Sequence, residues 1–452
     1  MQRKTLFLII IIFAFLAGAG LFGFYYYLNR QASNSPYGNS FSLQNFFPFG
    51  QSNSSSNSSS NNNIIVGSNS GTSTNSSLPY PILRHITIVP VSGSIMLDRQ
   101  TISTTSTSTI AGTLTKTEKI NKTYIRYMER GTGQTYETLI DDLTTNRISN
   151  TTFPKIYSAS FNASGSSTIL MSIQNDNSDI VNTYYGNLSK NASTSSSTPT
   201  NYNLNTILLS DHATEVVVSP DKKSIFTLLT IPNNPGIISN FDGTKQSTIW
   251  TSPISEWIPY WATNKYIVMT TKPSFGVAGF SYLVNISTGK YSHLLGDVDG
   301  LTVLPSPDLS FILYSNSNST NPLSLSIYNV KNKSSQDYSL KTLPEKCVWS
   351  SLKTPLLYCA IPGSLPNASY PDDWYKGEIS FSDSIWSINL TTGESKRIAA
   401  LSQLAGQNID ATNLSLDSKE DYLTFVNKND LTLWGLQLAP TASTSTATTT
   451  KK

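Results

Sequence analysis

Hydrophobic residues in this chain come in short runs separated by turn residues, and one such unit recurs at a regular distance. A short apolar run precedes the turn Ser219-Pro220-Asp221, and another precedes the turn Ser306-Pro307-Asp308, 87 residues further on. Midway between them, the runs Ile258–Trp261 and Tyr266–Met269 flank a turn of the same length without proline. The implied period is about 43 residues, which is typical of the four-stranded blade of a β-propeller.

The same alternation continues along most of the chain, so we expect one all-β domain over residues 79–439. Its final unit, residues 413–438, contains only three predicted strands. A closed propeller leaves no free sheet edge, so Pro81–Ile86 is expected to supply the fourth strand. This count predicts seven blades, with six or eight as alternatives because insertions blur the period in three units. A Ser/Thr-rich stretch of about twenty residues after Ser94–Leu97 is interpreted as a loop.

The N-terminal segment Leu6–Leu28 is an uncharged, mostly apolar run of 23 residues, long enough to cross a bilayer as a helix. Arg3 and Lys4 precede it and only one basic residue follows closely, so the positive-inside rule places the N-terminus in the cytoplasm. We therefore expect residues 1–30 to be a single-pass membrane anchor with the rest of the chain outside. The alternative is a signal peptide cleaved after Ala17-Gly18-Ala19.

Two further segments have compositions that disfavour a packed core. Residues 31–78 are rich in Ser and Asn, and Gln51–Asn63 contains almost nothing else. Such a segment cannot bury enough apolar surface to offset the entropy lost on ordering, which predicts a disordered linker. Residues 440–452 are rich in Thr and Ser and are predicted to be a disordered tail.

The composition is unusually poor in charge. Charged residues make up 13% of the chain, whereas aromatic residues reach 11%. Serine, threonine and asparagine supply the polarity instead, so the surface is expected to be neutral and rich in hydrogen-bonding groups. The net charge of +3 is too small to indicate nucleic-acid binding.

The units built on Ser219-Pro220-Asp221 and Ser306-Pro307-Asp308 resemble the TolB-like, Trp-Asp-repeat-like propellers of bacterial envelopes. The resemblance covers roughly residues 80–438 and implies a fold without implying an activity. The Trp-Asp dipeptide of true Trp-Asp repeats is missing. The predicted anchor, together with features that include Cys347-Val348-Trp349 and Tyr358-Cys359-Ala360, is similar to membrane-anchored propellers of candidate-phylum bacteria. That narrower resemblance, which also rests on residues 127–133, implies no activity either.

The chain contains two cysteines, Cys347 and Cys359. They are equidistant from Lys353, so in a symmetric hairpin around that residue they lie directly opposite each other. Opposed Cβ atoms in antiparallel strands are about 4.5–5.5 Å apart, a distance that local twist can close for a disulfide. Such a bond would persist outside the cytoplasm. The alternative is a pair of buried free thiols.

No pattern of catalytic or metal-binding residues is recognisable. His85, His212 and His293 share no metal-ligand spacing, and the chain has no His-Glu-x-x-His motif. It also lacks a Gly-x-Ser-x-Gly nucleophile elbow, and its glycine pairs are turn glycines that form no phosphate loop. We therefore predict no enzymatic activity, no metal site and no cofactor.

The best candidate binding site is an insertion in the sixth unit, residues 361–381. It combines carboxylates with an aromatic residue, and its predicted face of the propeller also carries two aspartates from another unit. Carboxylates beside aromatic rings can bind a sugar, a basic peptide or Ca²⁺. Alternatively, the insertion is an ordered loop whose tryptophan fills its own blade and whose aspartates cap turns. The candidate residues are Asp372, Asp373, Trp374, Glu378, Asp297 and Asp299.

These features predict an anchored propeller displayed outside the cell membrane. We expect it to bind or scaffold an envelope protein, a glycan or another ligand on its loop-rich face, with the tether raising the local concentration. An alternative from another class is a propeller glycosidase or lyase that uses Asp372, Asp373 or Glu378 as acid and base. A third is a structural component of a surface layer or filament.

Overall fold

The computed structural model describes residues 82–109, 112–174, 177–190, 202–352 and 355–438. Within these residues the chain forms seven four-stranded antiparallel sheets, the blades of a propeller. Adjacent blades contact one another through their first strands, which therefore lie closest to the central axis. The predicted all-β class and the count of seven blades are both confirmed.

In each of the first four blades the strands follow chain order from the innermost outwards. Blade 1 comprises β2 (Val91–Thr109), β3 (Gly112–Glu129), β4 (Thr135–Leu139) and β5 (Thr145–Arg147). Blade 2 comprises β6 (Ile156–Phe161), β7 (Ser167–Gln174), β8 (Asn177–Lys190) and β9 (Tyr202–Ser210). Blade 3 comprises β10 (Ala213–Val218), β11 (Ser224–Leu229), β12 (Gly236–Asn240) and β13 (Ser247–Trp250). Blade 4 comprises β14 (Trp257–Thr263), β15 (Tyr266–Thr271), β16 (Ala278–Asn285) and β17 (Tyr291–Asp299).

The last three blades carry the short helices of the described chain. Blade 5 comprises β18 (Thr302–Pro305), β19 (Phe311–Asn316), β20 (Ser324–Asn329) and β21 (Ser334–Tyr338). Blade 6 comprises β22 (Cys347–Trp349), β23 (Leu356–Pro362), β24 (Asp383–Asn389) and β25 (Ser395–Ala400). Blade 7 comprises β26 (Ala411–Leu416), β27 (Tyr422–Asn427), β28 (Leu433–Gln437) and β1 (Leu83–His85). The helices are a 3₁₀ turn (Pro344–Lys346), α1 (Asp372–Lys376) and α2 (Leu401–Ala405).

The first described strand closes the ring. Strand β1 pairs antiparallel with β28, with Arg84 opposite Gly435, and the His85 ring stacks on Trp434 at a centroid distance of 4.0 Å. A buried cluster that contains Val91 and Tyr422 joins blade 1 to blade 7 in the same way that other clusters join successive blades. The prediction that the start of the domain completes its last blade is therefore confirmed.

The recurring Ser-Pro-Asp turn has a local physical cause. Ser219 donates its hydroxyl to the Asp221 carboxylate (2.7 Å) and accepts the Ser224 amide (3.0 Å) on the same oxygen. The hydrogen bond from Ser219 holds the pKa of Asp221 below its ordinary value. Ser306 and Asp308 make the same hydroxyl-to-carboxylate bond at 2.7 Å. The motif is thus a self-contained turn at the lower end of its blade, between the first and second strands.

One prediction within the domain is wrong. The Ser/Thr-rich stretch of blade 1 is not a loop, because β2 and β3 remain paired from Arg99 opposite Lys122 out to Thr109 opposite Gly112. Threonine is β-branched and favours extended backbone even where the strand has no apolar face to bury. Backbone pairing therefore continues along the hairpin as far as Thr109 and Gly112.

Three predicted segments lie outside the described residues: the anchor at Leu6–Leu28, the linker over residues 31–78 and the tail over residues 440–452. In the part of the chain that the structure describes, no helix is long and apolar enough to cross a membrane.

Candidate functional site

The insertion of blade 6, between β23 and β24, lies on what we call the upper face. This face carries the loops between second and third strands and the connections between blades. Ser317, in the loop after β19, donates its hydroxyl to the Tyr370 carbonyl of the insertion. The same residue accepts the Gly276 amide (3.1 Å) and donates its own amide to the Asp299 carbonyl (2.8 Å). Ser317 therefore connects loops of blades 4, 5 and 6.

Two of the candidate carboxylates act as acceptors for loop backbone. Asp372 accepts the Ser274 hydroxyl (3.0 Å) and the Phe275 amide (2.6 Å), so it joins the insertion to the loop that follows β15. Asp373 accepts the Ser369 amide (2.7 Å) and so holds its own loop in place. Both aspartates therefore stabilise turns, which agrees with the alternative interpretation of the insertion as an ordered loop.

Trp374 lies under the insertion and not on its surface. It is 5% exposed and packs against Phe381, with the two rings stacked at 6.0 Å. Its indole nitrogen donates to the Asp410 carboxylate at 2.9 Å. A surface ligand would therefore not contact Trp374 without displacing this core.

The remaining candidates lie at the edge of the upper face. Glu378 and Asp297 are exposed, and Asp299 accepts a hydrogen bond from the Asn318 side chain (3.0 Å). The structure brings Asp299 close to the insertion through the Ser317 backbone. It does not bring the six candidates together into one cluster, because Trp374 is buried and the two aspartates of the helix face loop backbone.

Sequence reasoning missed a buried ionic group beneath the insertion. The Lys346 ammonium group lies 2.8 Å from the Asp383 carboxylate, contacts the Asp410 carboxylate, and donates to the Ala411 carbonyl (3.0 Å). The Lys346, Asp383 and Asp410 residues are at most 1% exposed. Because charges are costly to bury unless they are paired and hydrogen-bonded, these three residues form one structural unit.

The environment of Asp383 explains how an excess negative charge is tolerated there. Burial raises the pKa of Asp383 to about 6, although the neighbouring Lys346 opposes the shift. One oxygen of this carboxylate, Oδ1, has no hydrogen-bond partner within the described residues. The sequence carried one signal for this group. Each of the three residues is the first residue of a strand or directly precedes one, at the end of that strand nearest the upper face.

Innermost strands of blades 4 to 7 enclose a cavity of about 370 Å³ in the centre of the ring. Its walls are largely apolar and include Ile258, Val303, Val348 and Leu414, with Glu345 among the few polar groups. Mostly apolar concave sites with a few placed polar groups are the usual form of a ligand pocket. The cavity is therefore a better candidate binding site than the insertion alone.

The disulfide lies in the wall of this cavity. Cys347 and Cys359 are opposite each other in strands β22 and β23, and their sulfur atoms are 2.09 Å apart. Cys347 lines the cavity together with Glu345, whereas Cys359 is fully buried. The bond therefore fixes the inner strand of blade 6 against its neighbour, close to a polar group of the cavity wall.

A second cavity, of about 520 Å³, is lined by innermost strands of blades 1 to 4 and shares Tyr260 with the first. Burial raises the pKa of Tyr260 to about 12, although the side chain is 37% exposed, because it faces the enclosed channel. Lys222 lines the lower end, and burial lowers its pKa. Together the cavities form a channel along the propeller axis.

Glu345 lines the first cavity, and it belongs to a set of carboxylates whose charges act on Tyr375. We call this set the acidic mouth (Glu215, Glu345 and Asp372 around Tyr375). The Tyr375 hydroxyl donates to the Glu345 carboxylate. Burial raises the pKa of Tyr375, and the nearby charges of Glu345, Asp372 and Glu215 raise it further. Carboxylates from blades 3 and 6 therefore both affect the pKa of this one hydroxyl.

Two of these carboxylates have perturbed acidity. Burial raises the pKa of Glu215 to about 7, with Lys272 opposing the shift and Glu256 adding to it. Burial likewise raises the pKa of Glu345, and its Oε2 atom accepts no hydrogen bond from the described residues. Buried groups with shifted pKa values in a cleft are typical of functional sites, although structural networks produce them too.

This mouth can accept a cationic group, whose charge would offset the burial of the carboxylates. Two lysines act on the mouth: Lys272, which is already paired with Glu256 at 2.8 Å, and Lys346, which is already paired with Asp383. In the described residues no group of three or more His, Cys, Asp or Glu side chains is arranged to hold a metal ion.

Comparisons with known proteins concern the fold. The structure is similar to the β-propeller domain of the Trilobed protease from Pyrococcus furiosus (TM-score 0.43, 10% identity, covering 71% of this chain and 95% of that one). It is similar to the tricorn protease (TM-score 0.42, 8% identity, 70% of this chain), of whose length it spans 32%. It is also similar to oligogalacturonate lyase from Vibrio parahaemolyticus (TM-score 0.36, 12% identity, covering 70% and 97%). No protein-family model matches the sequence, and no curated protein matches it.

The seven sheets, the pairing of β1 with β28 and the central channel define the chain as a seven-bladed β-propeller. Propellers host many unrelated functions, so the class by itself assigns none. A function has to be argued from the acidic mouth and the channel below it.

Proposed function

We propose that this propeller is a binding module that receives a cationic group of an envelope protein or ligand in its acidic mouth. The observation that carries the proposal is the hydrogen bond from the Tyr375 hydroxyl to Glu345, a carboxylate in the wall of an apolar cavity of about 370 Å³. The charges of Glu215 and Asp372 also raise the pKa of Tyr375. An amine or guanidinium in the mouth would pair with these carboxylates, and an attached apolar group would fill the channel.

The proposed location is the outer side of the cell membrane, with the propeller tethered through residues 31–78 to an anchor at Leu6–Leu28. The disulfide supports an oxidising compartment, because such bonds are rare where thiols are kept reduced. The resemblance to TolB-like envelope propellers supports the same location. A tethered module would meet its partner at high local concentration.

Binding is favoured over catalysis by the state of the candidate carboxylates. Acid–base hydrolysis of a glycoside needs two carboxyl groups that face the scissile bond across about 5–9.5 Å. Asp372 and Asp373 instead accept hydrogen bonds from loop amides, and Glu378 is exposed. The glycosidase or lyase alternative would be supported by oligosaccharide turnover that Asp372→Asn abolishes.

The test is site-specific photo-crosslinking of the full-length protein in its native envelope. A photoreactive amino acid replaces Lys376, an exposed residue directly after Tyr375, so the mouth itself stays intact. We expect a discrete adduct whose yield falls about tenfold when Glu215→Gln and Glu345→Gln are combined. The yield should also fall in high salt, because salt screens the long-range attraction between the mouth and an approaching cation.

The matched control carries the photoreactive group at Tyr338, on the outermost strand of blade 5. The mouth would be excluded as the binding site if both positions gave the same adducts. It would also be excluded if the double substitution left the yield at position 376 unchanged. Ordered assemblies of the purified full-length protein would instead favour a surface-layer or filament role.

A further inference from the structure

A separate concave site lies on the outer rim of the propeller, between blades 3 and 4. Its volume is about 360 Å³, and its walls are the outermost strand of blade 3, β13, the turn over residues 286–289, and Tyr291. We call it the rim pocket. It shares no lining residue with the two channel cavities.

Tyr291 presents an aromatic surface at this pocket. The side chain is 64% exposed, yet its ring is supported by edge-on contacts with Trp250 at 5.5 Å and Tyr282 at 5.9 Å. An exposed aromatic ring gains little from hydrophobic burial and is usually free to rotate. The Tyr291 ring is instead held in a defined orientation by its neighbouring rings. A ligand that stacks on this ring would meet a preorganised surface.

Trp250 contributes an unused hydrogen-bond donor. The residue is 7% exposed and lines the pocket, and its indole N–H has no hydrogen-bond partner within the described residues. Each of the other five buried tryptophans described donates its N–H to an oxygen, as Trp257 does to Ser252 at 2.9 Å and Trp261 to the Thr263 carbonyl at 2.9 Å. A buried donor without an acceptor is costly, so a ligand oxygen that reaches it gains affinity.

The rest of the pocket lining is uncharged, and apart from Ile249, Ile286 and Gly289 its side chains carry hydroxyl groups. None of the residues that line the pocket is ionisable except the tyrosine phenol of Tyr291. Because β13 is the outermost strand of its sheet, one of its edges also carries backbone groups that no other described strand pairs with. The exposed hydroxyl residues of the rim are Ser247, Thr248, Thr251, Ser287 and Thr288.

We propose that the rim pocket binds a neutral oligosaccharide. The C–H groups on one face of a pyranose would stack on Tyr291, because they carry partial positive charge and the ring face is negative. A sugar hydroxyl would accept the Trp250 N–H after a local adjustment of the pocket wall that leaves the Tyr291 ring in place, and other sugar hydroxyls would exchange hydrogen bonds with the rim. A charged ligand would find no counter-charge among these residues. This inference goes beyond the cation-binding mouth and does not depend on it.

The test titrates the full-length protein, in a detergent without a sugar headgroup, with maltohexaose, cellohexaose, mannohexaose and chitohexaose. Binding is followed by tryptophan fluorescence and by calorimetry. We expect saturable binding of at least one of these neutral hexasaccharides, a loss of affinity of about tenfold or more in Tyr291→Ala, and about fivefold in Trp250→Phe. Tyr291→Phe keeps the ring and should bind like the parent protein.

Two controls separate the pocket from the rest of the molecule. Tyr338→Ala removes a tyrosine from the outermost strand of blade 5 and should leave affinity unchanged. A tenfold molar excess of an alkylamine, which would occupy the acidic mouth, should likewise not compete with the hexasaccharide. Circular dichroism of every variant checks that the propeller is folded. The proposal is overturned if no hexasaccharide binds saturably, if binding survives Tyr291→Ala unchanged, or if the edge of β13 pairs with an extended peptide instead.

Discussion

The Lys346 ammonium group lies 2.8 Å from the Asp383 carboxylate in a pair from which solvent is excluded. Both residues belong to blade 6, and the same ammonium contacts Asp410 at the entry to blade 7. Asp410 in turn accepts the Trp374 indole N–H and the Phe381 amide, which positions the insertion of blade 6. One buried lysine therefore links the insertion, its own blade and the next blade.

Removing the charge of Lys346 should destabilise the protein strongly. In Lys346→Met the Asp383 and Asp410 carboxylates would face each other without a cation, and breaking a buried pair in this way costs about 3–5 kcal/mol. The loss of unfolding free energy should be smaller at pH 5 than at pH 8. The pKa of Asp383 is about 6, so at pH 5 this carboxyl group is mostly protonated and has less need of a cation. Urea unfolding at both pH values measures the effect.

The control for this prediction is Lys376→Met, which removes an exposed lysine at the end of α1. Surface substitutions of this kind typically change the free energy of unfolding by no more than about 0.5 kcal/mol. Equal unfolding midpoints for the two variants would show that the buried group contributes nothing to stability.

Glu215 should lower the stability of the protein above neutral pH. Its pKa is about 7 in the folded state, above the ordinary value of 4.5. The folded state therefore binds this proton more tightly than the unfolded state, and stability falls as pH rises from 4.5 to 7. At pH 8, Glu215→Gln should be more stable than the parent by roughly 1–2 kcal/mol, a gain that disappears near pH 4.5. Thermal unfolding across this range provides the measurement, and a pH-independent difference would contradict the assigned cause.

The ionisation of Glu215 should also affect how strongly the proposed ligand binds. If a cation binds the acidic mouth, the crosslinking yield at position 376 should rise between pH 5 and pH 8 as Glu215 ionises. The rise should be smaller in Glu215→Gln, because the glutamine side chain at position 215 carries no charge at either pH. A yield that falls over this range in the parent protein would indicate an anionic partner.

Ring closure by β1 can be tested by comparing two shortened chains. A chain that begins at residue 79 retains Leu83–His85 and their pairing with β28, whereas a chain that begins at residue 87 leaves that edge of blade 7 unpaired. We expect the shorter chain to melt at a lower temperature and to aggregate, because it exposes both β28 and the apolar seam between blades 7 and 1. Identical melting curves would show that closure by β1 is dispensable.

The disulfide should contribute measurably to stability. Cys347 and Cys359 close a short loop, for which chain-entropy estimates give about 3 kcal/mol. The variant with both cysteines replaced by serine should lose roughly that amount in urea unfolding under oxidising conditions. Adding a reductant should lower the stability of the parent and leave the variant unchanged. A reductant effect on both proteins would point to a cause other than this bond.

The blades, their number and the closure of the ring could be predicted from the sequence because their causes are local. Ser219 and Asp221 form their turn with each other and with the next strand, so the motif has the same meaning wherever it occurs. The last unit of the domain has only three strands of its own and needs a fourth to close the ring. Pro81–Ile86 was the predicted strand at the start of the domain that could supply it. The register of Cys347 and Cys359 likewise followed from the symmetry of one hairpin.

The prediction failed where the pattern of apolar positions carries no information. The long hairpin of blade 1 carries a sequence rich in serine and threonine in place of an apolar pattern, yet its backbone pairs as far as Thr109. Trp374 could be interpreted as either a surface residue or a core residue. Its burial depends on Asp410, which is distant in the sequence.

The local pattern of this sequence therefore determined the repeat, the closed ring and the strands outside the long hairpin of blade 1. Only the tertiary structure decided where the buried lysine, the acidic mouth and the rim pocket lie. The physical reason is that each of these sites is assembled across a blade boundary. Glu215 and Tyr375 belong to different blades, as do Trp250 and Tyr291, and their distances are fixed by the packing of rigid sheets around a common axis.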